Sequence, residues 1–136
     1  MDVQDIYPQV ARIVADVLAI DTADVNINHK LIKDLGAESI DFLDLIFQLE
    51  REFKVKIPRG QIEKEARGSL SDAEFENAGV ITEAGMKALK NYLSELPESE
   101  FKPNLKVNEI PTLFTVETFC KLVIHAKARS AEAVSV

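Results

Sequence analysis

From Ile40 to Phe53 the apolar residues recur at steps of three and four, a period that suits a helix and no strand. Phe42, Leu45, Ile46, Leu49 and Phe53 form the main apolar stripe, which a helix of a folded chain turns toward its core. Ile40, Leu43 and Phe47 make a second stripe, flanked by Asp41 and Asp44. That second stripe is more apolar than a solvated face needs, so it is a candidate contact surface.

The same period recurs along the chain. Val3, Ile6, Val10, Ile13, Val14 and Val17 mark a first helix, and Pro8 is expected to confine its regular part to the residues that follow, or to kink it. Asp21 to Lys33 breaks the period, but Val25, Ile27 and Leu31 predict a long loop pinned to the core. Ser71-Asp72-Ala73-Glu74 has capping-box spacing and opens a short helix, and Asn77-Ala78-Gly79 punctuates it. Thr82 caps a longer helix with Met86, Leu89, Leu93 and Leu96 on one face, Gly85 weakening its first turn and Pro97 closing it. Thr115 caps a last helix with Val116, Phe119, Cys120, Val123 and Ile124 facing inward.

The expected fold class is therefore all-α, with no strand. Residues 1–128 read as a single domain, 59–112 as an insert within it, and 129–136 as a disordered tail. The Met86 to Leu96 stripe must bury against something, because an isolated helix of that length is marginal in water. It either packs on the bundle beside the cleft between the second and last helices, or stands off as a subdomain. Anchoring residues on both sides (Leu70, Phe75, Leu105, Ile110) favour packing.

Charge narrows the partners. The net charge of −7, from 23 acidic and 16 basic residues, argues against nucleic acid, which needs Lys and Arg in excess. Residues 1–58 hold eleven of the acids against six bases, so the N-terminal part suits partners with basic surfaces. One cysteine, Cys120, excludes an internal disulfide framework and suits a reducing compartment. The acidic start Met1 to Asp5 is unlike a secretory signal, and no apolar run is long enough for membrane insertion, so a cytoplasmic location is expected.

The turn into the second helix holds the candidate site. Asp34-Leu35-Gly36-Ala37-Glu38-Ser39 brings a serine to a helix start, with Gly36 permissive for the turn. A serine there leaves its hydroxyl exposed, and the free backbone N–H groups favour a phosphate. A plain N-cap is the alternative, although Phe42 rather than Glu or Gln stands three residues on.

Asp34-Leu35-Gly36-Ala37-Glu38-Ser39-Ile40-Asp41 resembles the D-L-G-x-D-S-L-D motif of acyl carrier proteins, with Glu38 where that family usually has Asp. Glu50-Arg51-Glu52-Phe53, Ile57-Pro58 and Phe114 to Phe119 extend the likeness, which covers about 1–58 and 110–127. The resemblance implies a carrier, not a catalyst. It implies 4′-phosphopantetheine joined to Ser39 from coenzyme A by a separate phosphopantetheinyl transferase that supplies metal and base. Acyl groups would ride on the arm as thioesters, presented to enzymes of fatty-acid, specialised-lipid or polyketide-type synthesis.

The same resemblance implies roles for neighbouring residues. Glu38, Ile40, Asp41, Asp44 and Phe47 would dock acyl-loading, condensing or acyltransferase enzymes through their basic surfaces, with Glu50 and Glu52 adding charge. Phe42 and Ile46 would line the cleft that shelters an acyl chain, with simple core packing as the alternative. The protein would be a monomer, and the insert likens it to carriers that serve a dedicated pathway. A carrier-like interaction module that is never modified is the competing reading. No other constellation carries chemistry: Cys120 lies on an inward stripe, and His29 and His125 lack partners at metal spacing.

Overall fold

The computed structural model describes residues 2–58 and 60–134 and is helical apart from a two-strand hairpin. Its helices are α1 (Val3–Leu18), α2 (Ser39–Phe53), α3 (Gln61–Arg67), α4 (Asp72–Phe75), α5 (Glu83–Tyr92) and α6 (Val116–Val134). Two compact units share the chain: Met1–Pro58 with Phe114–Val136, and Arg59–Leu113.

In the first unit α1 opens on a reciprocal cap, with the Asp5 N–H donating to Asp2 Oδ1 at 3.1 Å and the Asp2 N–H to Asp5 Oδ2 at 2.9 Å. The regular helix includes the residues before Pro8, so the proline does not confine it to those that follow. Pro8 is exposed, so the carbonyl it leaves unpaired can reach water, while buried Ile6 and Val10 hold the helix on either side. Packing overrides the proline.

The loop after α1 contains one 3₁₀ turn, Thr22–Asp24, and is tied down at several points. Tyr7 Oη donates to the Val25 carbonyl at 2.9 Å, and Val25 and Leu31 are buried. The N–H groups of Leu31, Val116 and Glu117 bond to the carbonyls of Phe114, His29 and Ile27, each at 3.1 Å. The loop is thereby stitched to the start of α6, as its interleaved apolar residues require.

α2 buries Leu45, Leu49 and Phe53 against α1 and α6, with Phe42 and Ile46 half-buried. Thr115 and Thr118 cap α6 reciprocally, the Thr118 N–H donating to Thr115 Oγ1 at 3.2 Å and the Thr115 N–H to Thr118 Oγ1 at 3.0 Å. The α6 backbone runs to Val134, through most of the segment expected as a tail. Ala126, Ala128, Ala131 and Ala133 give that stretch high helix propensity without an amphipathic period. Positions 135 and 136 lie outside the described residues.

The second unit has its own core of Ile62, Phe75, Ile81, Leu89, Leu93 and Leu105, with α5 packed on α3 and α4. The Ser71 and Thr82 caps form as their spacing predicts, Glu74 N–H to Ser71 Oγ at 3.2 Å and Gly85 N–H to Thr82 Oγ1 at 3.0 Å. Three features depart from expectation. α3 is a third helix in this segment, too short for its apolar pair Ile62 and Ala66 to show a period. β1 (Glu76–Asn77) and β2 (Val80–Ile81) form a hairpin around Ala78 and Gly79, both at positive φ as a tight two-residue turn requires. Finally, α5 ends at Tyr92, before Pro97: Leu93 leaves the helix and a tighter turn from Leu96 N–H to Leu93 carbonyl, 3.0 Å, follows.

Candidate functional site

Ser39 is the first residue of α2 and its side chain is exposed. Its hydroxyl makes no hydrogen bond among the described residues. Nucleophilic access therefore needs no rearrangement of neighbours. The cap of α2 falls one residue earlier, at Glu38, so Ser39 is not the N-cap. The reciprocal partner is Asp41, whose Oδ2 accepts the Glu38 N–H at 2.8 Å. Spacing counted from Ser39 meets Phe42 and misses this box, whereas spacing counted from Glu38 finds it.

Upstream, Gly36 takes φ +75°, the left-handed conformation anticipated for this turn. The Ala37 N–H donates to the Leu31 carbonyl at 2.8 Å and Ala37 is buried, so the serine is displayed from a fixed base. Fit to a phosphodiester is good: an exposed hydroxyl lies at the positive end of a fifteen-residue helix, where first-turn N–H groups lack helical partners. Among the described residues no hydrogen bond reaches the Ser39 hydroxyl, so the geometry displays it without activating it.

The expected docking residues separate. Ile40, Leu43 and Phe47 are 69%, 42% and 60% exposed and share one face of α2, with exposed Asp44 and Glu38 beside them. Asp41 is half-buried and holds the cap. Glu50 faces inward, its Oε2 accepting the Ile57 N–H at 2.8 Å, and Glu52 bridges to Arg12 at 3.2 Å. These last two acids brace the fold, which their positions in the sequence do not reveal.

The two cleft residues also diverge. Phe42 lines an apolar seam between α1 and α2, formed with Val14, Val17, Leu18, Leu31 and Leu45. The seam has no space that admits a water. Ile46 is half-buried and does not line that seam. On its other side Phe42 meets Phe119 and Phe114 at ring separations of 5.6 and 6.2 Å, an aromatic cluster in the core.

Elsewhere the titratable groups are structural. Burial, with Glu117 nearby, pushes the Cys120 thiol up to about 12, away from any nucleophilic role. His29 Nδ1 accepts the Asn26 N–H at 3.0 Å inside the pinned loop. Among the described residues no three His, Cys, Asp or Glu side chains are grouped to hold a metal, and no helix is long and apolar enough to cross a membrane.

A helical unit with an exposed serine first in a helix fits the carrier that the Asp34 to Asp41 motif implies. A family model described as a phosphopantetheine attachment site matches residues 8–73. Over 61 residues the chain is 39% identical to the acyl carrier protein of Thermotoga maritima, covering 45% of this chain and 75% of that relative. Over 58 residues it is 43% identical to the acyl carrier protein of Campylobacter jejuni subsp. doylei, covering 43% and 75%. Over 70 residues it is 37% identical to acyl carrier protein AcpXL of Rhizobium etli, covering 51% and 76%. The chain belongs to the acyl carrier protein family. It is a carrier of covalently bound 4′-phosphopantetheine and not a catalyst.

Proposed function

We propose that Ser39 is the residue that receives 4′-phosphopantetheine, and that the loaded protein presents acyl groups to the enzymes of a dedicated lipid or polyketide-type pathway. The observation that carries this reading is the serine itself, exposed, unbonded and first in α2 on a turn anchored to the core. When bound, the arm supplies a terminal thiol on which acyl groups ride as thioesters.

The chain's own residues do the rest. Ile40, Leu43 and Phe47 form the apolar centre of the docking face, and Asp44 and Glu38 steer basic partners toward it. Those partners are a phosphopantetheinyl transferase and the enzymes that load or consume the acyl group. The lone buried thiol of Cys120 is in keeping with a reducing cytoplasmic setting. The seam at Phe42 is closed, so an acyl chain would enter it by parting α1 from α2. The Arg59–Leu113 unit lies largely beyond the matched residues and supports a specialised rather than a general carrier.

Intact mass tests the attachment. Incubation with coenzyme A, Mg²⁺ and a broad-specificity transferase adds one phosphopantetheine group, and Ser39→Ala abolishes the gain without unfolding the chain. Modification that persists in the alanine variant removes Ser39 from the mechanism. A wild-type chain that never gains mass leaves an unmodified docking module in its place.

A further inference from the structure

We infer that Asp34 and Asp41 are positioning residues for Ser39, which hold the serine turn through backbone amides and do not act as docking charges. The inference rests on the reading of Ser39 as the attachment residue.

The two carboxylates bracket the serine. Asp34 Oδ2 accepts the Lys30 N–H at 2.8 Å, while its own N–H donates to the Lys30 carbonyl at 2.9 Å. That closes the turn onto Leu31, which is itself bonded to Phe114 at the entry to α6. On the other side, Asp41 Oδ2 accepts the Glu38 N–H at 2.8 Å and the Asp41 N–H donates to the Glu38 carbonyl at 2.9 Å. The residue before Ser39 is thus held at both its N–H and its carbonyl. Those two bonds hold the peptide groups on either side of Glu38, from the second of which Ser39 projects.

An ionised acceptor makes the stronger hydrogen bond, and a carboxylate in the first turn of a helix is favoured by the helix dipole. A carboxylate oxygen already 2.8 Å from a backbone amide, on a half-buried side chain, is less available to a partner's cation than that of exposed Asp44. In transfer, the serine oxygen forms the new bond to phosphorus as the pyrophosphate bond of coenzyme A breaks. The hydroxyl proton passes to the transferase's base and adenosine 3′,5′-bisphosphate leaves. That step depends steeply on where the oxygen sits, so loss of the turn geometry lowers turnover rather than affinity.

Asparagine separates the two roles, because its carbonyl oxygen accepts the same N–H without the charge and alanine accepts nothing. Transfer kinetics with coenzyme A, Mg²⁺ and transferase are compared for the wild type and for Asp34 and Asp41 each changed to Asn and to Ala. Hydrogen exchange at the Glu38 amide is followed in the unmodified Asp41 variants. Positioning gives a kcat on the order of tenfold lower in the Ala variants, and about twofold at most in the Asn variants. Glu38 loses its protection in Asp41→Ala and keeps it in Asp41→Asn. Asn variants as impaired as Ala, with the loss in KM and fading at high salt, would overturn the inference in favour of docking charges. Where an Ala variant fails to fold, a wild-type KM in the Asn variants, with Glu38 protection kept in Asp41→Asn, supports the acceptor role, and a raised KM that fades at high salt overturns it. Equal kcat in every variant of a chain that loads overturns the inference alone. A wild-type chain that gains no mass at Ser39 overturns the attachment reading and this inference with it.

Discussion

At the scale of single residues, Cys120 and Gly85 show how burial decides behaviour. Cys120 is fully buried and its thiol is held protonated well above the ordinary value of 9.0, at about 12. The folded chain should therefore resist thiol reagents at neutral pH and react as fast as it unfolds, which a timed alkylation under increasing denaturant checks. The sign for stability follows. Above pH 9.0 the unfolded chain loses this proton before the folded one, so this group lowers stability as pH rises from there toward about 12. Gly85 reads in sequence as a modest weakness of α5. In the fold it lets that helix approach the Phe75 carbonyl, and a Cβ there would collide with that oxygen and crowd Ile81 Cγ2 at 3.1 Å. Gly85→Ala, a change that raises helix propensity, should instead destabilise the chain by roughly 1–3 kcal/mol in denaturant melts.

At the scale of elements, α2 has a buried face and an exposed apolar face. Its buried face of Leu45, Leu49 and Phe53 fixes the helix and leaves Ile40, Leu43 and Phe47, the proposed docking residues, exposed. Phe47→Ala should therefore alter stability by only about 0.5 kcal/mol while weakening transferase binding, a separation that calorimetry and a binding titration read together. Asp44→Lys should slow association, with the defect shrinking as salt is added, because steering acts on the on-rate and is screened. Glu98→Lys, in the other unit, should do less. Equal effects at the two positions, measured by stopped flow, would mean that net charge matters and the α2 face does not.

At the scale of the whole molecule, the Arg59–Leu113 unit is more than a loop between helices. Leu89 and Leu93 are fully buried within it, so truncating either to Ala should destabilise that unit by roughly 2–5 kcal/mol. The chain has two tyrosines and no tryptophan, one tyrosine in each unit, at 7 and 92. Tyr92 fluorescence in a Tyr7→Phe background follows the truncated unit through a denaturant titration. The converse variant, with Tyr7 alone, reads whether the first unit melts with it, as the expected packing on the bundle requires. An unchanged Tyr92 transition in Leu89→Ala or Leu93→Ala would contradict the buried role of that residue.

Much of this was legible in the chain itself because helices declare themselves locally. A period of three and four residues predicted α1, α2, α5 and α6, capping residues set the starts of α4, α5 and α6, and the Asp34 to Asp41 motif marked the serine turn. What only the tertiary structure decided were matters of contact between distant residues. Buried Ile6 and Val10 carry α1 across Pro8, Glu50 turns inward to Ile57 and not outward to partners, and the Phe75 carbonyl makes Gly85 obligatory. The α2 cap falls at Glu38, one residue before Ser39, where the Glu38 N–H meets Asp41 and the preceding Ala37 N–H is bonded back to Leu31. Local propensity is written in neighbouring residues, whereas the use of a side chain depends on what folding sets against it.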